Sequence, residues 1–241
     1  MCENKIALIT GASRGIGKAI AQSLARQGYN LHLVCHKNKN LLTELADTLS
    51  AQYQISCTCH QGDLGNSSFV NEIFREISSL DVLINCAGIS HIGLLQEMTD
   101  DQWHHLMRSN LDSVFYTCRK AIPLMLKKQS GCIINISSVW GNTGASAEVA
   151  YSASKGAVNA FTKALGKELA LSHIHVNAIA CGLIDTDMNH CFSDEELSSV
   201  INEIPADRIG RPEEVASLVL QLINAPDSLT GQIITLDGGW T

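Results

Sequence analysis

The sequence predicts an α/β protein with a doubly wound, seven-stranded parallel sheet and helices on both faces. Two observations support this fold class. Short apolar runs alternate with stretches of helical periodicity along all 241 residues. The runs are apolar on consecutive residues, as in strands that are covered on both faces. The expected strands are 6–9, 31–35, 55–60, 81–85, 133–136, 174–179 and 233–236, and the expected helices are 15–27, 41–51, 69–77, 100–127, 149–171 and 215–223.

The domain organisation follows from the evenness of this alternation. No repeat, low-complexity segment or Pro/Gly-rich linker interrupts the chain, so residues 1–241 are expected to form a single catalytic domain. One polar, helix-prone stretch, at about 187–210, is inserted after the sixth strand. Excursions beyond the carboxyl end of a strand commonly contact ligands, and a substrate loop is expected there.

Composition and charge exclude several classes of protein. The formal net charge of −7, with no basic face, argues against nucleic acid as a partner. No segment has the roughly 18 apolar residues of a membrane span, and the amino terminus lacks the features of a signal peptide, so a cytoplasmic protein is predicted. Cys57, Cys59 and His60 could suggest a zinc site, but their alternating faces and the missing CxxC pairs predict no metal.

A glycine-rich loop joins the first strand to the first helix. Gly11 allows a tight turn, Gly15 lets the backbone approach a pyrophosphate, and Gly17 permits close packing of helix on sheet. The helix amino terminus adds free N–H groups and a partial positive charge. A merely structural turn is the alternative, but the position of the loop favours a dinucleotide site that includes the intervening residues Ser13, Arg14 and Ile16.

The charge at the end of the second strand indicates which dinucleotide is bound. An NAD site usually has a carboxylate there, whereas this chain has His36 and Lys37, and its next carboxylate is Glu44. Arg14, with His36 or Lys37, could contact a 2′-phosphate; alternatively these are solvated loop residues. The missing carboxylate favours NADP(H) over NAD(H).

Tyr151 and Lys155 form the candidate catalytic pair. They are four residues apart in an expected helix and therefore share one face. An ammonium about 5 Å from the phenol would contribute about 3 kcal/mol, which lowers the pKa of Tyr151 by about two units. Ser138 could then hold a substrate oxygen by a hydrogen bond while Tyr151 exchanges a proton with it. An amphipathic helix with an exposed lysine is the alternative for this pattern alone.

These motifs together resemble the short-chain dehydrogenase/reductase family. The glycine loop, Asn85-Cys-Ala-Gly88, Asn110, Ser138 and Tyr151-x-x-x-Lys155 occur in that family's order, and the resemblance covers essentially the whole chain. The chain is most similar to bacterial 3-oxoacyl-(acyl-carrier-protein) reductases. The resemblance implies a Rossmann-type fold, carbonyl reduction and a homotetramer that pairs the helices carrying Asn110 and Tyr151.

The resemblance also implies roles for further residues. Asp63 and Leu64 would contact adenine, and the turn after the fourth strand would pass the adenosine ribose. The backbone at Asn110 would hold a water that links Lys155 to solvent. The nicotinamide and phosphate would be contacted by Thr186 with the backbone at Ile184. The residues of the turn after the fourth strand are Asn85, Ala87 and Gly88.

Two departures from the family pattern bear on the substrate. Cys181 stands where the family has a proline after the sixth strand, which predicts a looser loop or a thiol near the cofactor; a tolerated small replacement is the alternative. Ser172 stands where carrier-protein reductases have a basic residue, although Lys127–Lys128 could form a patch for acyl carrier protein. The leading hypothesis is NADPH-dependent reduction of a 3-oxoacyl thioester. The alternatives are reduction of a free small ketone, sugar or steroid, and a non-catalytic nucleotide-sensing scaffold.

Overall fold

A computed structural model describes residues 5–187 and 193–241. Its centre is one sheet of seven parallel strands in the order β3-β2-β1-β4-β5-β6-β7, and the predicted Rossmann-type fold is confirmed. The strands are β1 (Ile6–Thr10), β2 (Asn30–Cys35), β3 (Cys57–Gln61), β4 (Val82–Asn85), β5 (Gly131–Ser138), β6 (Ile174–Cys181) and β7 (Ile233–Leu236).

Helices cover both faces of the sheet. They are α1 (Gly15–Arg26), α2 (Lys39–Tyr53), α3 (Ser67–Arg75), α4 (Asp100–Met107), α5 (Ser113–Lys128), α6 (Trp140–Thr143), α7 (Val149–Leu169), α8 (Asp194–Glu203) and α9 (Pro212–Ile223). Successive side chains of a strand point to opposite faces, so Ala7 and Ile9 pack into a core with α1, α2 and α9. Leu8, between them, packs into a second core with α3, α5 and α7.

The strand order reverses between β1 and β4, and this reversal positions the site. From β1 the chain runs outward to β2 and β3, and it then returns to the other side of β1 as β4. The loops that leave β1 and β4 therefore diverge and open a crevice at the carboxyl ends of the strands, where such sheets bind ligands.

The predicted helix over 100–127 is present, with an irregularity at its middle. A π-helical turn over Arg108–Asp112 separates α4 from α5. Such turns often occur at functional sites. The buried Asn110 lies in this one.

The expected excursion at 187–210 contains α8 and falls partly outside the described residues, since 188–192 are not described. A parallel bridge between Ile184 and Gly210 joins the two ends of the excursion at its base. In the described ranges, no helix is long and apolar enough to cross a membrane. The same ranges contain no group of three or more side chains arranged to bind a metal, and their seven cysteines are free thiols.

Candidate active site

Two adjoining cavities lie at the carboxyl edge of the sheet. One, of about 570 Å³, follows the glycine loop and the ends of β2 and β3. The other, of about 580 Å³, lies over the ends of β5 and β6 and beside α7. The residues that line both cavities are Ile16, Cys86, Gly88 and Thr186. The cavities therefore form a continuous crevice with a nucleotide side and a substrate side.

The glycine loop leaves no room for side chains. Gly11 and Gly15 have φ values of 67° and 51°, in the left-handed region that favours glycine. A Cβ at Gly17 would lie 2.2 Å from the carbonyl oxygen of Gly11, and one at Gly15 would lie 3.0 Å from Thr186 Cγ2. The loop can thus be approached by a pyrophosphate at the amino end of α1, so the residues present fit a dinucleotide.

The predicted nucleotide contacts are largely brought together. The residues from the sequence-based set that line the nucleotide-side cavity are Gly11, Ser13, Arg14, Gly15, Ile16, Gly17, His36, Lys37, Asp63, Leu64, Ala87, Gly88 and Thr186. Ile184 lines the substrate side instead. Asn85 lines neither cavity, because its carboxamide lies within the sheet and donates to Asn135 Oδ1 at 2.9 Å. Asn85 therefore stabilises the sheet next to the site and does not line the cavities.

Two ion pairs near the nucleotide side were not expected from the sequence. Arg14 Nη1 lies 3.1 Å from Asp187 Oδ2, and Arg108 Nη2 lies 3.3 Å from Asp63 Oδ2. Asp63 Oδ1 also accepts from the N–H of Gly65 at 2.8 Å, which fixes the carboxylate. Spacing in the sequence could not reveal these partners, because each pair joins loops or helices that are distant along the chain.

On the substrate side, Ser138 ends β5, and Tyr151 and Lys155 occupy successive turns of α7. Lys155 Nζ donates to the carbonyl oxygen of Ile136 at 2.9 Å and lies 5.7 Å from the centre of the Tyr151 ring. A side-chain hydrogen bond joins Ser138 and Tyr151. The three predicted groups therefore converge on one cavity.

The predicted lowering of the pKa of Tyr151 by Lys155 is wrong for the protein's own groups. Burial raises the pKa of Tyr151 above its ordinary value, and this effect outweighs the hydrogen bond from Ser138. Burial also lowers the pKa of Lys155. The prediction from the sequence included the attraction between the ammonium and the phenolate. It did not include the free-energy cost of removing the two side chains from water, which the folded chain imposes.

The side-chain carboxamide of Asn110 makes three hydrogen bonds. It is 1% exposed, accepts from the N–H of Ile89 at 2.8 Å, and donates to the Ile89 carbonyl oxygen at 2.9 Å. It also donates to Ser154 Oγ at 3.0 Å. The carboxamide thereby joins the loop after β4 to the helix that carries Lys155. The backbone role that the resemblance implies stays a prediction.

Cys181 belongs to the sheet and not to a loosened loop. It pairs with Ser138 on one side and with Leu236 on the other, and its carbonyl oxygen accepts from the N–H of Val139 at 2.9 Å. The side chain lines the substrate-side cavity, as the sequence suggested. Burial raises the pKa of this thiol to about 12, so it is protonated at neutral pH and a poor nucleophile.

The possible carrier-protein patch at Lys127–Lys128 is not beside the site within one subunit. These residues are the last two of α5. The next element, β5, begins at Gly131 and ends at Ser138, so the lysines lie at the amino end of the strand and Ser138 lies at its carboxyl end. Lys128 is paired with Asp81, which precedes β4. A strand as long as β5 spans about 25 Å at ~3.3 Å per residue, which separates this patch from the cavities.

Three further lining residues escaped the sequence-based reasoning, namely Trp140, Glu148 and Trp240. The indole rings of Trp140 and Trp240 meet edge to face, with centroids 4.9 Å apart. The penultimate residue of the chain therefore forms part of the wall. Nothing in the local sequence marks it, because its contact with Trp140 spans 100 positions.

Comparisons with known proteins agree with this geometry. The family model described as short chain dehydrogenase matches residues 5–197. The uncharacterized oxidoreductase YmfI of Bacillus subtilis is 40% identical over 98% of this chain and 99% of its own length. The 3-oxoacyl-(acyl-carrier-protein) reductase FabG of Chlamydia trachomatis is 37% identical over 98% of this chain and 97% of its length.

Among solved structures, YwfH, an NADPH-dependent reductase involved in bacilysin biosynthesis, matches with a TM-score of 0.93 and 26% identity, over 99% of both chains. A putative gluconate dehydrogenase from Agrobacterium tumefaciens matches with a TM-score of 0.92 and 29% identity, over 98% of this chain and 95% of the other. The chain therefore belongs to the short-chain dehydrogenase family and is an NAD(P)-dependent oxidoreductase that acts on alcohol and carbonyl groups.

Proposed function

We propose that this enzyme reduces the ketone of a 3-oxoacyl thioester to an alcohol with NADPH. The observation that carries the proposal is the convergence of Ser138, Tyr151 and Lys155 on a cavity that continues into the nucleotide crevice. Relatives named 3-oxoacyl-(acyl-carrier-protein) reductase, 35–37% identical over nearly their whole length, support the choice of a thioester.

In the proposed mechanism, Tyr151 is the proton donor. Its raised pKa keeps the phenol protonated at neutral pH, which suits reduction, where the substrate oxygen must gain a proton. Ser138 holds that oxygen by a hydrogen bond. The end of β5 and the start of α7 fix the position of the Ser138 hydroxyl relative to the Tyr151 phenol. When bound, NADPH supplies the hydride to the carbonyl carbon.

Lys155 and Asn110 complete the proposed catalytic set. The Lys155 amine lies 5.7 Å from the centre of the Tyr151 ring and is proposed to bind the ribose of the cofactor. Its bond to the Ile136 carbonyl oxygen fixes its position while leaving donors for a ligand. Asn110 holds the loop of Ile89 against α7. It is the proposed link through which a proton relay from Lys155 reaches solvent.

The mechanism is tested by replacing Tyr151 with phenylalanine and following NADPH oxidation with an acetoacetyl thioester. Loss of the proton donor should reduce kcat at least ~100-fold, the range of general acid catalysis. Tyr53→Phe, at the far end of α2, serves as the matched control. Undiminished turnover by the Tyr151 variant would refute the proposed donor, and an inactive wild type on every carbonyl tested would favour the nucleotide-sensing scaffold.

A preference for NADPH is part of the proposal. Arg14, His36 and Lys37 line the nucleotide-side cavity around the end of β2, where a 2′-phosphate would lie. The guanidinium of Arg14 forms an ion pair with Asp187, so a 2′-phosphate would compete with this carboxylate for it. The ratio of kcat/KM for NADPH over NADH should exceed tenfold, and a preference for NADH would overturn this part.

A free small ketone is the second candidate substrate. The basic pair Lys127–Lys128 lies at the far edge of the sheet, and Ser172 adds no charge. Neither of these two positions therefore places a basic surface for acyl carrier protein beside the cavities of one subunit, and the proposal is limited to the thioester itself. A panel of acyl thioesters against cyclic, sugar and steroid ketones, all with NADPH, separates the two candidates by kcat/KM.

We further propose a homotetramer in which α4–α5 and α7 pair between subunits. Phe115 on α5 and Val149 at the start of α7 are 41% and 44% exposed, and pairing of these helices between subunits would cover them. Light scattering should give a mass near four times 26.0 kDa. A monomeric mass at assay concentration would contradict this assembly.

A further inference from the structure

Glu148 is one of the residues that line the substrate-side cavity. Glu148 is the residue that precedes α7, where a carboxylate commonly accepts from the first free N–H groups of the helix, yet it makes no such capping bond. Instead it is half-buried, lines the cavity and interacts with the indole N–H of Trp140. A carboxylate has about four acceptor positions, so acceptor capacity remains for a ligand.

The neighbouring indoles hold this carboxylate in place. Trp140 and Trp240 meet edge to face at 4.9 Å, and Trp240 Nε1 donates to Glu203 Oε2 at 3.4 Å. The indole that interacts with Glu148 is therefore itself packed against a second large ring. The aromatic wall thus presents one carboxylate at a defined place instead of a freely moving charge.

Glu148 also lies close to the reacting groups. It is one helical turn before Tyr151, and its charge is felt by the phenol. Among the described residues that line this cavity, the other charged side chains are Lys155 and Glu203. The two carboxylates are therefore the acidic groups of this cavity, and Lys155, its one cation among the described residues, is bound to the Ile136 carbonyl oxygen.

We propose that Glu148 determines substrate specificity by rejecting a carboxylate next to the reacting ketone, so that neutral acyl derivatives are reduced in preference to free 3-oxo acids. The inference rests on the proposed function, since it assumes that the ketone is bound at Tyr151. A thioester, an amide or an ester is neutral at this position and can be accepted, whereas a free 3-oxo acid is anionic and meets a like charge in a partly desolvated cavity.

The experiment uses three probes that share one four-carbon 3-oxo acyl skeleton, namely acetoacetamide, methyl acetoacetate and acetoacetate. They offer a neutral amide, a neutral ester and an anion at the same position. The kcat/KM of each with NADPH is measured for the wild type, for Glu148→Gln and for Glu203→Gln. The Glu203 variant is the matched control, since it removes an exposed charge from the same cavity without changing the side chain held by Trp140.

The wild type should prefer each of the two neutral probes to the anion by at least tenfold. Glu148→Gln should reduce the preference of ester over anion by at least tenfold, whereas Glu203→Gln should change that ratio less than threefold. An unchanged ratio in Glu148→Gln, or an equal change in both variants, would overturn the proposal. Loss of activity in Tyr151→Phe with an unchanged ratio in Glu148→Gln would overturn this inference alone, while full activity in Tyr151→Phe would overturn the proposed function.

Discussion

Replacement of Asn110 by leucine tests whether its carboxamide positions the catalytic helix against the loop after β4. The substitution keeps the approximate volume but removes three hydrogen bonds, two with the backbone of Ile89 and one with Ser154. It leaves the N–H and the carbonyl oxygen of Ile89 without these partners at a partly buried place. At 1–3 kcal/mol for each unsatisfied group, the free energy of unfolding should fall by about 3 kcal/mol.

That loss of stability corresponds to a decrease in Tm of about 9 °C, because a chain of this length loses about 3 °C for each kcal/mol. The effect on catalysis should be larger than stability alone explains. A Cβ at Gly88 would lie 3.2 Å from Asn110 Oδ1 and 3.4 Å from Lys155 Nζ, so the carboxamide and the amine approach the same point. A displacement of about 1 Å there should reduce kcat by about 100-fold.

Asn177→Leu is the matched control. Asn177 is also fully buried, donates to the Leu229 carbonyl oxygen at 2.9 Å and accepts from the N–H of Gln232 at 3.0 Å, but it lies in β6 away from both cavities. Thermal unfolding and NADPH-dependent reduction are measured for both variants well below their Tm. Similar losses of Tm with a loss of kcat only in Asn110→Leu are expected. Equal losses of kcat in the two variants would refute a positioning role.

Three further predictions concern other parts of the molecule. Burial lowers the pKa of His32 to about 4, with a further contribution from His60. Because the unfolded chain then binds a proton more readily than the folded one, the free energy of unfolding should be fully retained above pH 6.5 and should decline as the pH falls toward 4. Thermal unfolding across this range should show the decline, and His32→Gln should weaken it. Gly17→Ala brings a Cβ within 2.2 Å of the Gly11 carbonyl oxygen, so the Kd for NADPH should rise at least tenfold by fluorescence titration, and unchanged binding would contradict the crowded loop. Arg14→Gln should raise the KM for NADPH about tenfold and leave the KM for NADH within threefold; equal changes in both would show that the guanidinium does not contact a 2′-phosphate.

Local sequence was sufficient for the elements whose signal is contained in a short window. The apolar run of β1 and the glycines that follow it predicted a strand, a tight turn and a helix, because backbone conformation there depends on side chains within a few residues. The spacing of Tyr151 and Lys155 predicted a shared helical face for the same reason. The ends of elements differed by at most three residues, as at β3, predicted from residue 55 and observed from Cys57.

The pKa of Tyr151 could not be obtained in this way. Desolvation depends on everything that surrounds the phenol, including Glu148 and the strands β5 and β6, and only the folded chain determines that surrounding. The same limit applied to Lys127–Lys128, whose charge was evident but whose distance from the site depends on the direction of α5 and β5 across the sheet.

By itself, the sequence determined the order of strands and helices, the glycine loop and the Ser–Tyr–Lys spacing, because periodicity and backbone preference act over a few neighbouring residues. Only the tertiary structure decided which distant groups meet: Asn110 with Ile89, Arg14 with Asp187, and Trp140 with Trp240. Such contacts arise from the packing of whole elements around a parallel sheet, where residues far apart along the chain are brought to one edge.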